Sequence, residues 1–176
     1  MRNRNVLNSL LSGSVGAAAL TIVHETARHL LKDAPRMDIA GRRAIARGLR
    51  QVGVTPPHGD QLQGVALAGD LVSNSLFYAL VGLVGRRAPW AAGGALGTVA
   101  GIGAIVLPPL LGLGRRPAGT TARTKSMTFA WYLLGGLAAA SALKCLESCE
   151  TEKEQSVDSH EPMHNRLSHR IFGHWN

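Results

Sequence analysis

Charged side chains are absent over three long stretches of the chain: 19 residues between Arg4 and His24, 27 between Arg87 and Arg115, and 18 between Lys125 and Lys144. A helix in a soluble core meets water on one face at every turn, so it rarely stays uncharged for so long. The hydrocarbon layer of a bilayer needs about 20 apolar residues in helical conformation. The pattern predicts an all-α, polytopic membrane bundle over residues 1–146, with four transmembrane helices at about 6–31, 62–85, 90–114 and 126–146. Asp70 interrupts the second of these. Leu107-Pro108-Pro109 is expected to kink or stop the third, because proline lacks the N–H that continues a helix. Trp90 suits an interfacial anchor at its start.

The first span competes with a secretory signal peptide, since Arg2 and Arg4 precede an apolar run and Ala17-Ala18-Ala19 resembles a cleavage site. Asn8, Ser9, Ser12, Gly13 and Ser14 break up that run, which favours a retained helix. Between the first two spans lies a basic loop, 32–61, with a short amphipathic helix at Met37–Val52. Ile45, Leu49 and Val52 share one face and Arg43, Arg47 and Arg50 another, with Asp38 as a cap and Gly53 and Pro56-Pro57 as stops. Such a helix suits the membrane interface, its arginines against anionic headgroups, or equally a solvated loop. Residues 147–176 form a polar, histidine-containing tail expected to be disordered.

Composition alone would mislead, because 45% hydrophobic residues and a mean hydropathy of +0.07 also describe a soluble domain. The spans are rich in Ala and Gly, and the basic loop and tail dilute them. A net charge of +8 invites a nucleic-acid partner, yet the positive residues fall mainly between apolar runs, which argues for membrane orientation instead. The Arg28–Asp60 segment carries seven Lys and Arg and the Arg115–Lys125 loop four, against eight elsewhere. Positive-inside then places both basic loops in the cytoplasm and both termini outside.

Gly93, Gly97 and Gly101 repeat every four residues on the third span, two overlapping G-x-x-x-G units that let another backbone approach closely. Ser9, Gly13 and Ala17 make a similar stripe on the first. The partner helix is expected in the same chain, a homo-oligomer being the alternative. Asp70 is the costliest residue to place, by about 2.5 to 3.5 kcal/mol at the bilayer centre. Arg28, at matching depth on the first helix, is its expected ion-pair partner, with His24, Glu25 and Asn74 nearby. This cluster of Glu25, Arg28, Asp70 and Asn74 either fixes helix register or serves as an ion, proton or polar-ligand site. A water-filled cavity reaching Asp70 would favour the second role, and a dry Arg28–Asp70 contact the first.

His24-Glu25 evokes the zinc-protease pattern H-E-x-x-H, but the next histidine, His29, is at i+5 and its ring points about 140° away. No metal site follows. Cys145 and Cys149 are too few for a zinc site made by cysteine alone, but one helical turn apart they could share a soft metal, and the tail holds His160, His164, His169 and His174, the first two also at i, i+4 as an alternative metal-binding spacing. Nucleotide, hydrolase and cofactor signatures are absent.

The stretches His24-Glu25-Thr26-Ala27-Arg28, Ala34-Pro35-Arg36-Met37-Asp38 and Ala68-Gly69-Asp70-Leu71-Val72-Ser73-Asn74-Ser75-Leu76 resemble segments of small, uncharacterised bacterial multi-span membrane proteins. That resemblance implies an inner-membrane location and no mechanism. The sequence favours a non-enzymatic structural or accessory membrane component, with a small transporter or ion pathway through Asp70, Arg28 and Glu25 as the alternative and a membrane-embedded enzyme as a distant third.

Overall fold

The computed structural model describes residues 2–114 and 121–160. Five helices follow one another: α1 (Arg2–Leu30), α2 (Met37–Gln51), α3 (Gly59–Val84), α4 (Pro89–Leu110) and α5 (Ala122–His160). Within them, Asn3–Leu30, Gly59–Val84, Pro89–Leu110 and Ala122–Lys153 are long and apolar enough to cross a bilayer. Their packing is inverted relative to a soluble protein. Large aliphatic residues such as Ile22, Val72, Leu76 and Val99 stand more than half exposed, while Ser9, Ser12, Ala17 and Thr128 are buried. Lipid accepts the former, and close helix contact selects the latter. The chain is a multi-pass helical membrane protein.

The chain divides into two units, with the boundary between Leu143 and Lys144. In the first unit α1 runs antiparallel to both α3 and α5, and α4 runs antiparallel to α5, so that α3 and α5 run parallel to each other. Along α1 and α3, a Cβ on Gly13 would strike the backbone of Ser75 and Ala79, and one on Gly82 would lie 2.9 Å from Ser9 Cα. One turn further along the same side of α1, a Cβ on Gly16 would meet the Gly135 carbonyl and Ala139 of α5. Tyr78 ties α3 to α5 by donating its hydroxyl to the Tyr132 carbonyl at 2.7 Å. Two buried hydroxyls are satisfied locally: Ser9 donates to the Asn5 carbonyl at 2.7 Å and Thr128 to that of Thr124 at 3.0 Å. Such back-bonding lets polar side chains enter an apolar bundle at little cost.

Gly93, Gly97 and Gly101 are buried against α5. A Cβ on Gly97 would lie 2.8 Å from Leu133 Cα, and one on Gly101 would be 3.1 Å from Phe129 Cα. The stripe is therefore used within the chain, as is the Ser9-Gly13-Ala17 stripe, so neither presents a free face for a second copy.

The third span ends later than the prolines suggested. Pro108 and Pro109 remain helical, and α4 closes one residue further on through a glycine-terminated cap. Gly112, at φ +68°, donates to the Pro109 carbonyl at 3.2 Å, and Leu113 to that of Pro108 at 2.8 Å. This is the Schellman arrangement, in which a left-handed glycine turns the chain back on its own carbonyls. From α2, Arg43 then donates to the Leu113 carbonyl at 2.6 Å and Arg47 to that of Leu111 at 2.7 Å. Cations at a helix C-terminus are favourable for its dipole as well as its free acceptors. Replacing both arginines by methionine should cost about 1 kcal/mol each and speed amide exchange at 111–114, measured by hydrogen exchange in detergent. Arg123 and Asp33, bridged at 3.1 Å but 70% and 59% exposed, add little to this joint between the two basic loops.

Two expectations need revision. Asp38 does not cap α2, whose N-cap position is Arg36; it lies in the first turn with its carboxylate directed to arginines. The stretch after Glu147, expected to be disordered, continues α5 as far as His160. An established helix extends at low cost through good formers such as Glu147, Glu150, Glu152 and Lys153. The remaining tail, 161–176, with His164, His169 and His174, lies outside the described residues.

Candidate functional site

Three helices each turn one stripe toward a common point. On α1, Thr21, His24, Glu25 and Arg28 fall at i, i+3, i+4 and i+7, and on α3 Gln63, Ala66, Leu67 and Asp70 repeat that spacing. From α2 come Met37, Asp38 and Gly41. All of these except Arg28 line one small cavity of about 30 Å³. Gly41 and the buried Ala66 make the approach possible, since a Cβ on Gly41 would already sit 3.6 Å from Ala66 Cβ.

The charges around this cavity are unevenly paired. Arg28 bridges Glu25 at 2.8 Å and reaches Asp38 at 3.7 Å. Asp38, whose side chain is 6% exposed, also takes a two-nitrogen contact from Arg36 at 3.0 and 3.1 Å and one from Arg42 at 3.4 Å. Burial works against its ionisation, but the Arg36 hydrogen bonds and the charges of Arg36, Arg42 and Arg28 outweigh that and hold its pKa below the ordinary value. Asp38 is thus an ionised anchor that joins α2 to α1.

Asp70 is placed differently. Its carboxyl has the Asn74 side chain as a hydrogen-bonding neighbour and Glu25 close enough to repel it. The expected ion pair between Arg28 and Asp70 is replaced: Arg28 turns to Glu25, three residues back on its own helix, and to Asp38, because α2 brings a second carboxylate to that end of α1. Glu25 and Asp70 line the same cavity, Arg28 is paired with Glu25 beside it, and Asn74 follows Asp70 by one turn of α3.

His24 closes the wall toward α5. Its ring is 8% exposed and stands edge-on to Trp131 and Tyr132, at centroid distances of 5.1 and 5.6 Å. Its Nε2, the Thr21 hydroxyl and the Arg28 Nε are buried without a hydrogen-bond partner. Unsatisfied polar atoms around an enclosed polar space are the setting in which water or an ion is held. Room for roughly two water-sized occupants is present, at about 10 to 15 Å³ each. Toward the opposite membrane face the bundle is filled by Leu20, Tyr78, Val81, Ala139 and Leu143. The cavity is therefore one-sided.

Among the described residues no three His, Cys, Asp or Glu side chains converge to hold a metal ion. His29 is exposed while His24 is buried, which follows from their i, i+5 spacing. Cys145 and Cys149 are exposed free thiols.

A second feature faces the same end of the bundle. Arg42, Arg43, Arg47 and Arg50 line a basic cleft of about 590 Å³ with Leu62, Gly112 and Leu113. Sequence reasoning identified three of these arginines but not the role of α4's end in shaping the cleft. It also missed Thr21, Gln63 and Gly41 as cavity residues, for which helical spacing relative to Glu25 and Asp70 was an available signal.

No family model matches the chain, and no curated protein or solved structure is similar to it. The fold and the site therefore stand on their own geometry.

Proposed function

We propose that this chain is a non-enzymatic inner-membrane protein that binds a small monovalent cation, the proton included, in the cavity between α1, α2 and α3. The carrying observation is the small cavity into which Glu25, Asp38 and Asp70 all face among apolar neighbours, with the His24 and Thr21 polar atoms left unpaired around it. Arg28 is shared between Glu25 and Asp38, so the arrangement leaves Asp70 with a like charge beside it and an amide as its neutral neighbour. A cation held there offsets the repulsion that burial magnifies. The cavity lies toward the end carrying the basic loops, and the positive-inside bias supports a cytoplasmic location for that end. Because the opposite half is packed, the reading is of an occupancy site on one side of the membrane rather than an open channel.

Anionic headgroups are the proposed lipid partners, seated against Arg42, Arg43, Arg47 and Arg50. The exposed guanidinium of Arg50 and the unspent nitrogens of Arg43 and Arg47 support this, worth about 1 kcal/mol per cation near such a surface.

Infrared difference spectroscopy on the protein in nanodiscs tests the cation site, exchanging Na⁺, K⁺ and acid at constant ionic strength. One of these is expected to perturb carboxylate bands that vanish in Asp70→Asn and weaken in Glu25→Gln. Spectra unaltered by all three would eliminate the site and leave the accessory-scaffold reading, which the arginine clamp on Asp38 favours.

A further inference from the structure

Between α3 and α4 lies a second space, a cleft of about 470 Å³ whose walls are mostly apolar. Val99, Gly103 and Leu107 from α4 form one side, Phe77 and Asn74 from α3 the other, and Tyr132 of α5 the floor. The cytoplasmic-loop end is closed by Ala40 and Ala44 of α2 and by the turn at Leu111–Leu113. Val99 is 60% exposed and Leu107 52%, so the mouth opens sideways, toward lipid. Asp70 lines this cleft as well as the polar cavity, and no Lys, Arg or other carboxylate lines it.

We propose that the cleft binds a monovalent organic cation with an apolar body, its charge against Asp70. The argument is one of complementarity. A volume of this size, within the 300 to 1,000 Å³ usual for small-molecule sites, suits a compact multi-ring or branched ion. Its apolar walls reward burial of that body. A permanent cation with shielded charge gives up little hydration on leaving water, while its attraction to a carboxylate grows as the local dielectric falls. Phe77 and Tyr132 are among the lining residues, and an aromatic ring beside a cation adds to the attraction. An inorganic anion has nothing to hold it here, and a neutral molecule forfeits the one charged contact. The proposal rests on Asp70 being an accessible anionic site, as in the reading above, but adds a different occupant entering from the bilayer side.

Equilibrium binding of tetraphenylphosphonium to the full-length protein in nanodiscs, with empty nanodiscs subtracted, tests it. Saturable binding is expected, weakened about tenfold or more by Asp70→Asn. Tetraphenylborate, matched in size and opposite in sign, should bind only as to empty discs. Gly103→Phe should fill the cleft and abolish tetraphenylphosphonium binding. It should leave the infrared cation response intact, since a Cβ there meets nothing nearer than Leu107 at 3.6 Å. Binding that is indifferent to Asp70→Asn, or equal for the two ions, would overturn the proposal. So would native mass spectrometry showing a lipid retained by the wild type and by Asp70→Asn but lost in Gly103→Phe, which would make the cleft a lipid seat. Failure here with the infrared response preserved removes the organic-cation site alone; the converse removes the small-cation site alone.

Discussion

Gly97→Leu should prevent the bundle from assembling, with an expected loss of about 3 kcal/mol or more and a collapse in the yield of monodisperse protein in mild detergent. The reason is backbone proximity. A Cβ at this position would lie 2.8 Å from Leu133 Cα and 2.9 Å from the Tyr132 carbonyl oxygen, neither of which can rotate away. A leucine would force α4 and α5 apart along their contact. Gly93 and Gly101 would then lose their seats on Gly136 and Phe129. Helix association in lipid depends on close packing, since lipid tails compete equally for apolar side chains. Gly94→Leu is the matched control, because nothing lies within 4 Å of a Cβ there. Equal yields for the two variants, by size-exclusion chromatography, would refute this account of the stripe.

Asp38→Ala should release α2 from the bundle at a cost of about 1.5 to 3 kcal/mol, the range for hydrogen bonds to charged groups. Asp38 is the acceptor shared by Arg36, Arg42 and Arg28, and its removal leaves these three cations crowded against one another. Limited trypsin digestion should show it, through faster cleavage after Arg42, Arg43, Arg47 and Arg50 than in the wild type. The same contacts predict a pH dependence. With a folded pKa below that of the unfolded chain, Asp38 contributes its full stabilisation above the unfolded value of about 3.9. The contribution is lost as pH falls through the lower, folded value. The wild type should therefore become as pepsin-sensitive as Asp38→Ala only in strong acid, while the variant's own sensitivity should show no Asp38-dependent change. A wild-type profile in which α2 loosens as pH rises would contradict the sign.

The cavity is the place where these structural arguments meet the proposed function. α2 forms its lid toward the loop end, with Met37, Asp38 and Gly41 among the lining residues. Loss of the Asp38 anchor is accordingly expected to open the cavity as well as to expose the arginines. In that case Asp38→Ala should alter the rate of cation exchange at Asp70 more than the extent, which time-resolved infrared measurements separate.

Much of this architecture was written in the order of residues. Three charge-free runs and one apolar run broken only by Asp70 marked four spanning helices, because a bilayer imposes a length and tolerates few charges within it. Spacing alone marked Gly93, Gly97 and Gly101 as a close-approach surface, since absence of Cβ is a local property. Helical periodicity put Glu25 and Arg28 on one face, and Asp70 and Asn74 on another. What facing partner each would meet was not a local property. Only the tertiary structure decided that the glycine stripe seats on α5, that Arg28 goes to Glu25 and Asp38, and that α2 folds over α3 to close a polar cavity. The physical reason lies in α2. Its thin separation from α3 at Gly41 and Ala66 and its Asp38 among three arginines are set by how the loop returns on the bundle, a long-range choice that no span-by-span reading contains. Asp70, conspicuous in the sequence as a charge in an apolar run, thereby changed from half of an expected ion pair into a carboxylate at the border between a closed polar cavity and a lipid-facing cleft.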